Sequence, residues 1–295
     1  MRMDGQDESS NVEDARGGGG GGGGISLGGG RGIGLGTVAI ALVAGWVFGI
    51  NPLTVLGLLS GNGGAPVSQS APGPAHAPPA GDADAKFVSQ VLRSTEVVWT
   101  DIFRGAGQAY QPPKLRLYTE REPTGCGQGQ AAMGPFYCPA DRKVYLDMSF
   151  FRVMSQRLGA PGQFAQAYVV AHEVGHHVQN LLGISEKVEA ARQRATEAQA
   201  NAVSVRLELQ ADCFAGVWAN RSQQEQGWRL EPGDIETALN AASQIGDDTL
   251  QRKARGQVVP ESFTHGTSAQ RVSWFKRGFE SGGINQCNTF EARQL

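Results

Sequence analysis

The sequence lacks an excess of charge of either sign. Its 26 Lys and Arg residues stand against 28 Asp and Glu residues, so the formal net charge is -2 at pH 7. A protein that attracts nucleic acid presents a basic patch or stripe, and nothing in this balance provides one. We therefore expect no nucleic acid among its partners.

Cysteine is scarce, and the four cysteines include no C-x-x-C pair. That spacing is typical of structural zinc sites, so its absence argues against a cysteine-held metal. An even number of cysteines allows two disulfides in an oxidising compartment. Proximity in sequence predicts a Cys126–Cys138 disulfide, which leaves Cys213 to pair with Cys287 by elimination.

Internal repeats and a phosphate-binding loop are also missing. The glycine-rich stretch TGCGQGQAAMGPFYCP, residues 124–139, lacks the Gly-Lys-Ser/Thr of a P-loop and does not open a helix. We interpret it as a loop that is closed by the first disulfide rather than as a phosphate cradle.

The first third of the chain differs in composition from the rest. Glycines crowd into residues 17–24 and 28–36, and prolines cluster in residues 66–79. Such stretches bury too little apolar surface to offset the entropy lost on ordering. We predict a disordered cytoplasmic tail over residues 1–31 and a flexible Pro/Gly/Ala-rich tether over residues 60–85.

Between these stretches, residues 33–50 carry no charge. Their length is close to the lower limit for a membrane span of about 17–25 residues, and residues 53–59 extend the apolar stretch. A buried core helix or a cleaved signal peptide is the alternative, but a signal peptide starts nearer the N-terminus and ends in a small-x-small cleavage site. We predict one transmembrane helix within residues 32–59.

Positive charges set the predicted orientation of this span. Arg2, Arg16 and Arg31 precede it, and no Lys or Arg follows until Lys86. By the positive-inside rule the N-terminus is then cytoplasmic. The predicted localisation is the inner membrane, with the domain of residues 86–295 on the periplasmic or extracellular side.

Regular secondary structure is predicted from Lys86 onward. Apolar residues at helical spacing predict a first helix that ends at residues 105–107, and β-favouring residues predict two short strands, Lys114–Tyr118 and Lys143–Phe151. Three or four helices are expected in the remainder of the chain.

The segment AYVVAHEVGHHVQNLLG, residues 167–183, contains the pattern H-E-x-x-H. On a helix, His172 and His176 lie one turn apart on the same face, where both imidazoles can bind one Zn²⁺ ion. Glu173 lies beside them and can take a proton from a water activated by the metal. An amphipathic helix with surface histidines is the alternative. His177 lies about 100° further round the helix and is expected to be a polar neighbour rather than a ligand.

A catalytic zinc requires a third protein ligand. The downstream segment VRLELQADCFAGVWAN, residues 205–220, offers Glu208 as that ligand and Asp212 as acceptor for the far nitrogen of a ligand histidine. Two acids one turn apart also occur on solvated helix faces. Here they are flanked by apolar residues at core spacing, and buried acids need partners.

These residues resemble a known family. HEVGHH followed by ELQADCFAGVWA is similar to the bacterial neutral zinc metallopeptidases, relatives of the gluzincins, and SSNVEDARG, VYLDMSFF, ALNAASQIGDD and FTHGTSAQRVSWFKRGFESG extend the likeness over nearly the whole chain. The resemblance implies an α+β zincin-like domain, mostly helical, with a small sheet bordering the cleft. It also implies that the strand from Val144 to Phe150 could pair with an extended peptide.

The last histidine, His265, precedes Thr267 and Gln270, which predict a capping box that opens a helix. His265 resembles the late gluzincin histidine that contacts substrate or its oxyanion, and a structural histidine at the helix start is the equal alternative. The predicted function is hydrolysis of a peptide or protein substrate by a zinc peptidase. The alternative is a catalytically quiet, zinc-containing envelope protein that binds partner proteins.

Overall fold

The computed structural model describes residues 1, 3, 5–16, 75–130, 134–156, 159–226, 229–255 and 257–295. All of them fall within one compact unit of mixed α+β architecture, in which helices predominate. The predicted membrane segment, residues 32–59, lies outside the described residues, as do residues 60–74 of the predicted tether.

All strands of the described part of the chain lie in its first half, and most of the helices lie in its second half. The strands are β1 Val12–Asp14, β2 Lys114–Tyr118, β3 Arg121–Thr124, β4 Gly127–Gln130, β5 Phe136–Cys138 and β6 Lys143–Asp147. The helices are α1 Ala83–Gly105, α2 Ser149–Gln156, α3 Gln163–Leu181, α4 Ile184–Arg192, α5 Glu197–Gln226, α6 Asp234–Gln244, α7 Asp247–Arg255 and α8 Ser268–Ser281.

Four of the strands form one sheet in the order β1-β2-β6-β5, in which β5 alone is antiparallel to its neighbour. Successive side chains of a strand point to opposite faces. Leu115 and Leu117 therefore join the main core with the helices, whereas Tyr118 and Tyr145 form a smaller cluster with Cys138. A separate hairpin of β3 and β4 carries Glu122, whose carboxylate accepts a 2.6 Å bond from the buried Arg116 on β2.

The N-terminal segment is ordered, which corrects the prediction of a disordered tail for its described residues. Val12 to Asp14 pair in register with Leu115 to Leu117 of β2. Ser9 donates a 2.5 Å hydrogen bond to the buried Glu96 on α1. The polar composition concealed this strand because its partner lies about a hundred residues further along the chain. Long-range pairing, not local pattern, stabilises it.

The predicted membrane topology is also wrong. A single span between the N-terminal segment and the domain would place them on opposite sides of a bilayer, yet β1 and β2 are neighbours in one sheet. Within the described ranges, every helix is too short or too polar to cross a membrane. The prediction of an inner-membrane protein with its domain on the far side is therefore corrected.

The end of the predicted tether belongs to the folded domain as well. The backbone of His76 exchanges two hydrogen bonds with Asp14, at 2.8 and 3.1 Å. Asp82 then caps α1 by accepting a 2.9 Å bond from the amide of Ala85. The domain therefore begins about ten residues before its predicted boundary.

The helical half departs from its prediction in two ways. The predicted strand Lys143–Phe151 stops at Asp147, whose Oδ1 accepts a 2.8 Å bond from the amide of Ser149 and turns the chain into α2. The structure also divides the remainder into more helices than the three or four expected. The first helix and the strand Lys114–Tyr118 are confirmed, as is the Thr267–Gln270 capping box of α8.

Glycines allow the central helices to approach closely. A Cβ on Gly175 of α3 would lie 3.0 Å from the carbonyl oxygen of Ala211 on α5. A Cβ on Gly278 of α8 would overlap the carbonyl of Cys213 on α5. The disulfide Cys213–Cys287 links α5 to the segment after α8, and Cys126–Cys138 links β5 to the turn between β3 and β4. Both predicted pairings are confirmed.

Candidate metal centre

The two motif histidines lie in the middle of α3, where apolar residues bury the helix on most sides. His172 is 6% exposed, and the side chain of His176 is 16% exposed. Their Nε2 atoms lie 3.2 Å apart. The i, i+4 spacing therefore brings both imidazoles to one point, as the sequence predicted.

Glu208 reaches the same point from α5. Its Oε2 lies 3.2 Å from the Nε2 of His172, and its Oε1 lies 3.4 Å from the Nε2 of His176. Among the described residues these three side chains are the one group of His, Cys, Asp or Glu whose ligand atoms converge, all within 4.8 Å.

The spacing of these atoms fits a zinc ion. Two ligands of a tetrahedral zinc with bonds of 2.0–2.1 Å are separated by about 3.3 Å. The two Nε2 atoms lie 3.2 Å apart, which is close to this edge length, and each faces a different oxygen of Glu208: Oε2 lies 3.2 Å from His172 and Oε1 lies 3.4 Å from His176. Two neutral nitrogens and one carboxylate oxygen are also a donor set that zinc accepts, and a set of three leaves a fourth position for substrate or water.

The outer nitrogens of both histidines are held by other side chains. His172 donates from Nδ1 to Oδ1 of Asp212 at 2.9 Å, and His176 donates from Nδ1 to Oε1 of Gln179 at 2.8 Å. Gln179 in turn donates a 2.7 Å bond to the carbonyl of Leu207 on α5. These two acceptors favour the tautomer with the proton on Nδ1, which leaves Nε2 as the nitrogen that can bind a metal.

Asp212 lies at the centre of a buried polar cluster that sequence analysis foresaw only in part. Besides His172, it accepts bonds from the Tyr168 hydroxyl at 2.5 Å and from Arg271 at 2.9 Å to each carboxylate oxygen. Burial opposes ionisation of Asp212, but Arg271 and His172 outweigh burial and lower its pKa to about 2. The prediction had placed Asp212 correctly against a histidine while missing Tyr168, Arg271 and Gln179.

Glu173 is 8% exposed and directly follows the first histidine. Burial raises the pKa of this carboxyl, and the neighbouring His172 and His176 oppose the rise. A carboxylate whose pKa is raised is a stronger proton acceptor than one on the surface, which suits a general base.

His177 points away from the metal group and is fully buried. Its Nε2 donates to the carbonyl of Gln111 at 2.6 Å, and its Nδ1 accepts from the hydroxyl of Tyr137 at 3.0 Å. The side-chain amide of Asn180 donates a further hydrogen bond to the Tyr137 hydroxyl at 2.9 Å. Burial lowers the pKa of His177 to about 4, so it is neutral at pH 7. It joins α3 to β5 and to the loop before β2.

His265 lies on the loop before α8, with its side chain 51% exposed. Its amide donates to Oδ2 of Asp247 at 2.6 Å, and its Nδ1 lies 3.4 Å from Oδ1 of the same residue. Partial burial opposes protonation, but Glu208 and Asp247 outweigh it and raise the pKa of His265. Glu208 is therefore close enough for electrostatic interaction with His265.

Comparison with known proteins identifies the family of the chain. The model of the family "Putative neutral zinc metallopeptidase" matches residues 1–290. The chain belongs to this family. It is 54% identical over 293 residues to the "Uncharacterized protein YpfJ" of Escherichia coli (strain K12), which covers 98% of this chain and 99% of that protein.

A more distant relative is the "Uncharacterized protein Rv2575" of Mycobacterium tuberculosis (strain ATCC 25618 / H37Rv). It is 44% identical over 211 residues, which cover 68% of this chain and 69% of that protein. No solved structure matches the chain. The family resemblance drawn from the sequence is thus confirmed, and its name implies zinc and peptidase chemistry at the level of the family.

Proposed function

We propose that the chain is a zinc-dependent peptidase with a zincin-like active site, in which His172, His176 and Glu208 bind the metal. The convergence of the two Nε2 atoms and the Glu208 carboxylate on one point is the observation that carries this proposal. A bound zinc would act as a Lewis acid that polarises the scissile carbonyl and increases the acidity of water.

The chain's own residues supply the remaining chemistry. Glu173, one residue from His172 and with a raised pKa, takes the proton of the attacking water and delivers it to the leaving amine. His265, whose pKa is raised by the charge of Glu208, donates a hydrogen bond to the oxyanion that develops on the carbonyl. Asp212 and Gln179 hold the ligand rings in orientation throughout.

The sheet offers an edge to an extended substrate, though not the one expected from the family resemblance. β6 cannot pair with a peptide along most of its length, because β2 and β5 take its two sides. β5 is the last strand at its end of the sheet in the described part of the chain. We place the peptide along the outer edge of β5, where main-chain hydrogen bonds can bind it.

Cleavage of an unbiased peptide library by the zinc-loaded full-length protein tests this function, with Glu173→Gln as the matched variant. Glutamine keeps the shape of the side chain but cannot accept the proton. We expect cleavage by the wild type only, with one zinc bound to each protein. Equal cleavage by both would remove Glu173 from the mechanism. One bound zinc without cleavage by either would favour the non-catalytic alternative.

A further inference from the structure

Arg271 is a charged side chain with only 3% exposure, and the proposed mechanism gives it no role. It belongs to α8, whereas the metal group comes from α3 and α5. Its Nε donates to Oδ2 of Asp212 and its Nη2 donates to Oδ1, both at 2.9 Å. A two-bond fork of this kind fixes the plane of a carboxylate as well as its position.

The carboxylate held by this fork also receives the proton of a metal-binding histidine. Oδ1 of Asp212 accepts from Nδ1 of His172 at 2.9 Å, and from the hydroxyl of Tyr168. Nη2 of Arg271 additionally donates to that hydroxyl at 3.3 Å. Rotation of the carboxylate about its side-chain bond would therefore disturb the bond that orients the His172 ring.

We infer that Arg271 is a positioning residue of the metal centre, acting through Asp212 on the ring of His172. This inference rests on the proposed zinc site. The chain of contacts runs from a third helix to the metal ligand through buried atoms alone, with Asp212 fully buried and His172 nearly so. Partners of metal-bound histidines influence metal affinity because they fix ring orientation and basicity.

The charges of the site support the same role. Arg271 is the cationic partner of the Asp212 carboxylate, which is fully buried. Buried charges without partners are costly. Loss of the guanidinium would leave Asp212 without its counter-ion beside His172.

A purely structural role is the competing explanation, because Arg271 also ties α8 to α5. Arg221 provides the matched control. It lies on α5, and its Nε donates at 2.7 Å to the carbonyl of Gly282, which follows α8. Its Nη1 also lies 3.6 Å from Oδ2 of Asp101 on α1. Arg221→Met therefore weakens attachment of α5 to the end of α8 and to α1, away from Asp212.

The test compares full-length wild type with Arg271→Met, Arg271→Lys and Arg221→Met. Zinc dissociation constants are measured by competition with a chelator, the visible spectrum is recorded after cobalt substitution, and thermal unfolding of the metal-free proteins is followed. We expect Arg271→Met to raise the zinc Kd about 10-fold to 100-fold and to shift the cobalt spectrum. Arg271→Lys keeps the charge but loses the fork, so it should shift the spectrum and raise the Kd less.

Arg221→Met should lower the unfolding temperature while leaving Kd and spectrum unchanged. If Arg271→Met does not fold, Arg271→Lys decides by the same two readouts. Wild-type Kd and spectrum in the Arg271 variants, or equal loss of affinity in Arg221→Met, would overturn the positioning role alone. A wild type that binds no zinc would instead overturn the proposed metal site and this inference with it.

Discussion

Gly175 lies directly against Ala211, so that a Cβ on the glycine would come within 3.0 Å of the alanine carbonyl oxygen and 3.2 Å of its Cα. In the sequence of α3, Gly175 lies between His172 and His176. In the sequence of α5, Ala211 lies between Glu208 and Asp212. The absence of a side chain at this one position therefore lets the helix that carries the acids reach the helix that carries the histidines.

Gly175→Ala should move α5 away from α3 by a few tenths of an ångström and weaken the metal centre. We expect the zinc Kd to rise and the free energy of unfolding to fall by about 1–3 kcal/mol, the usual range for overpacking. Chelator competition and denaturant unfolding measure the two effects. Gly105→Ala is the control, since a Cβ there meets no atom within 4 Å. Unchanged affinity in Gly175→Ala would show that the helices adjust without disturbing the ligands.

His177→Ala should destabilise the domain yet leave the metal centre intact. It removes the side-chain partner of the Gln111 carbonyl and leaves the Tyr137 hydroxyl with Asn180 alone, and each lost hydrogen bond costs about 0.5–1.5 kcal/mol. Zinc analysis of the folded protein should still give one zinc per chain, whereas His176→Ala should lose most of it. Equal zinc loss in both variants would mean that the wrong histidine has been chosen as ligand.

His265→Ala should reduce kcat for peptide cleavage by about 10²-fold to 10³-fold, the range for losing one oxyanion donor. Zinc content should stay at the wild-type level because the three ligands lie on α3 and α5. Thermal stability should fall only slightly, since the capping box of α8 belongs to Thr267 and Gln270. Early unfolding with normal turnover by the folded fraction would instead identify a structural histidine.

Asp247 should make folding stability depend on pH at acid values. Its Oδ2 accepts amide bonds from Thr264, His265 and Gly266 at 2.8, 2.6 and 3.0 Å. Burial opposes its ionisation, but the interactions with His265 and the amides prevail and lower its pKa below the ordinary 3.8. The carboxylate therefore contributes stability above pH 3.8 that is lost as the pH falls through the lowered pKa.

Unfolding of metal-free wild type and Asp247→Asn at several pH values checks this expectation. The variant should be less stable at pH 7, and the difference should shrink as the pH is lowered below 3.8. A difference in stability that is constant with pH would show that the charge of Asp247 is not what holds the His265 loop.

The sequence predicted those parts of the site that follow from local geometry. The i, i+4 spacing places His172 and His176 on one helical face whatever the rest of the fold does. Glu208 was predictable because a carboxylate flanked by core residues needs a buried partner. Arg271 and Gln179 gave no comparable signal. Their roles arise only when three helices pack together, and no spacing along the chain encodes that contact.

The errors in the fold have the same origin. β1 is three residues long and polar, and it exists because β2 offers a parallel partner. The predicted strand Lys143–Phe151 has suitable residues throughout, but the Asp147 side chain ends it by bonding the Ser149 amide. The periodicity of apolar residues does not predict elements that depend on a single side chain or on a distant part of the chain. It does predict α1 and β2, whose own residues carry the pattern.

The central claim is that His172, His176 and Glu208 bind one zinc ion. Zinc-edge X-ray absorption of the full-length protein, loaded with one equivalent of metal, tests it most directly. We predict two imidazole nitrogens and a carboxylate oxygen at about 2.0–2.2 Å, with no sulfur, and the loss of one imidazole in His176→Ala. Sulfur ligands, or a spectrum of His176→Ala that is identical to the wild type, would contradict the claim.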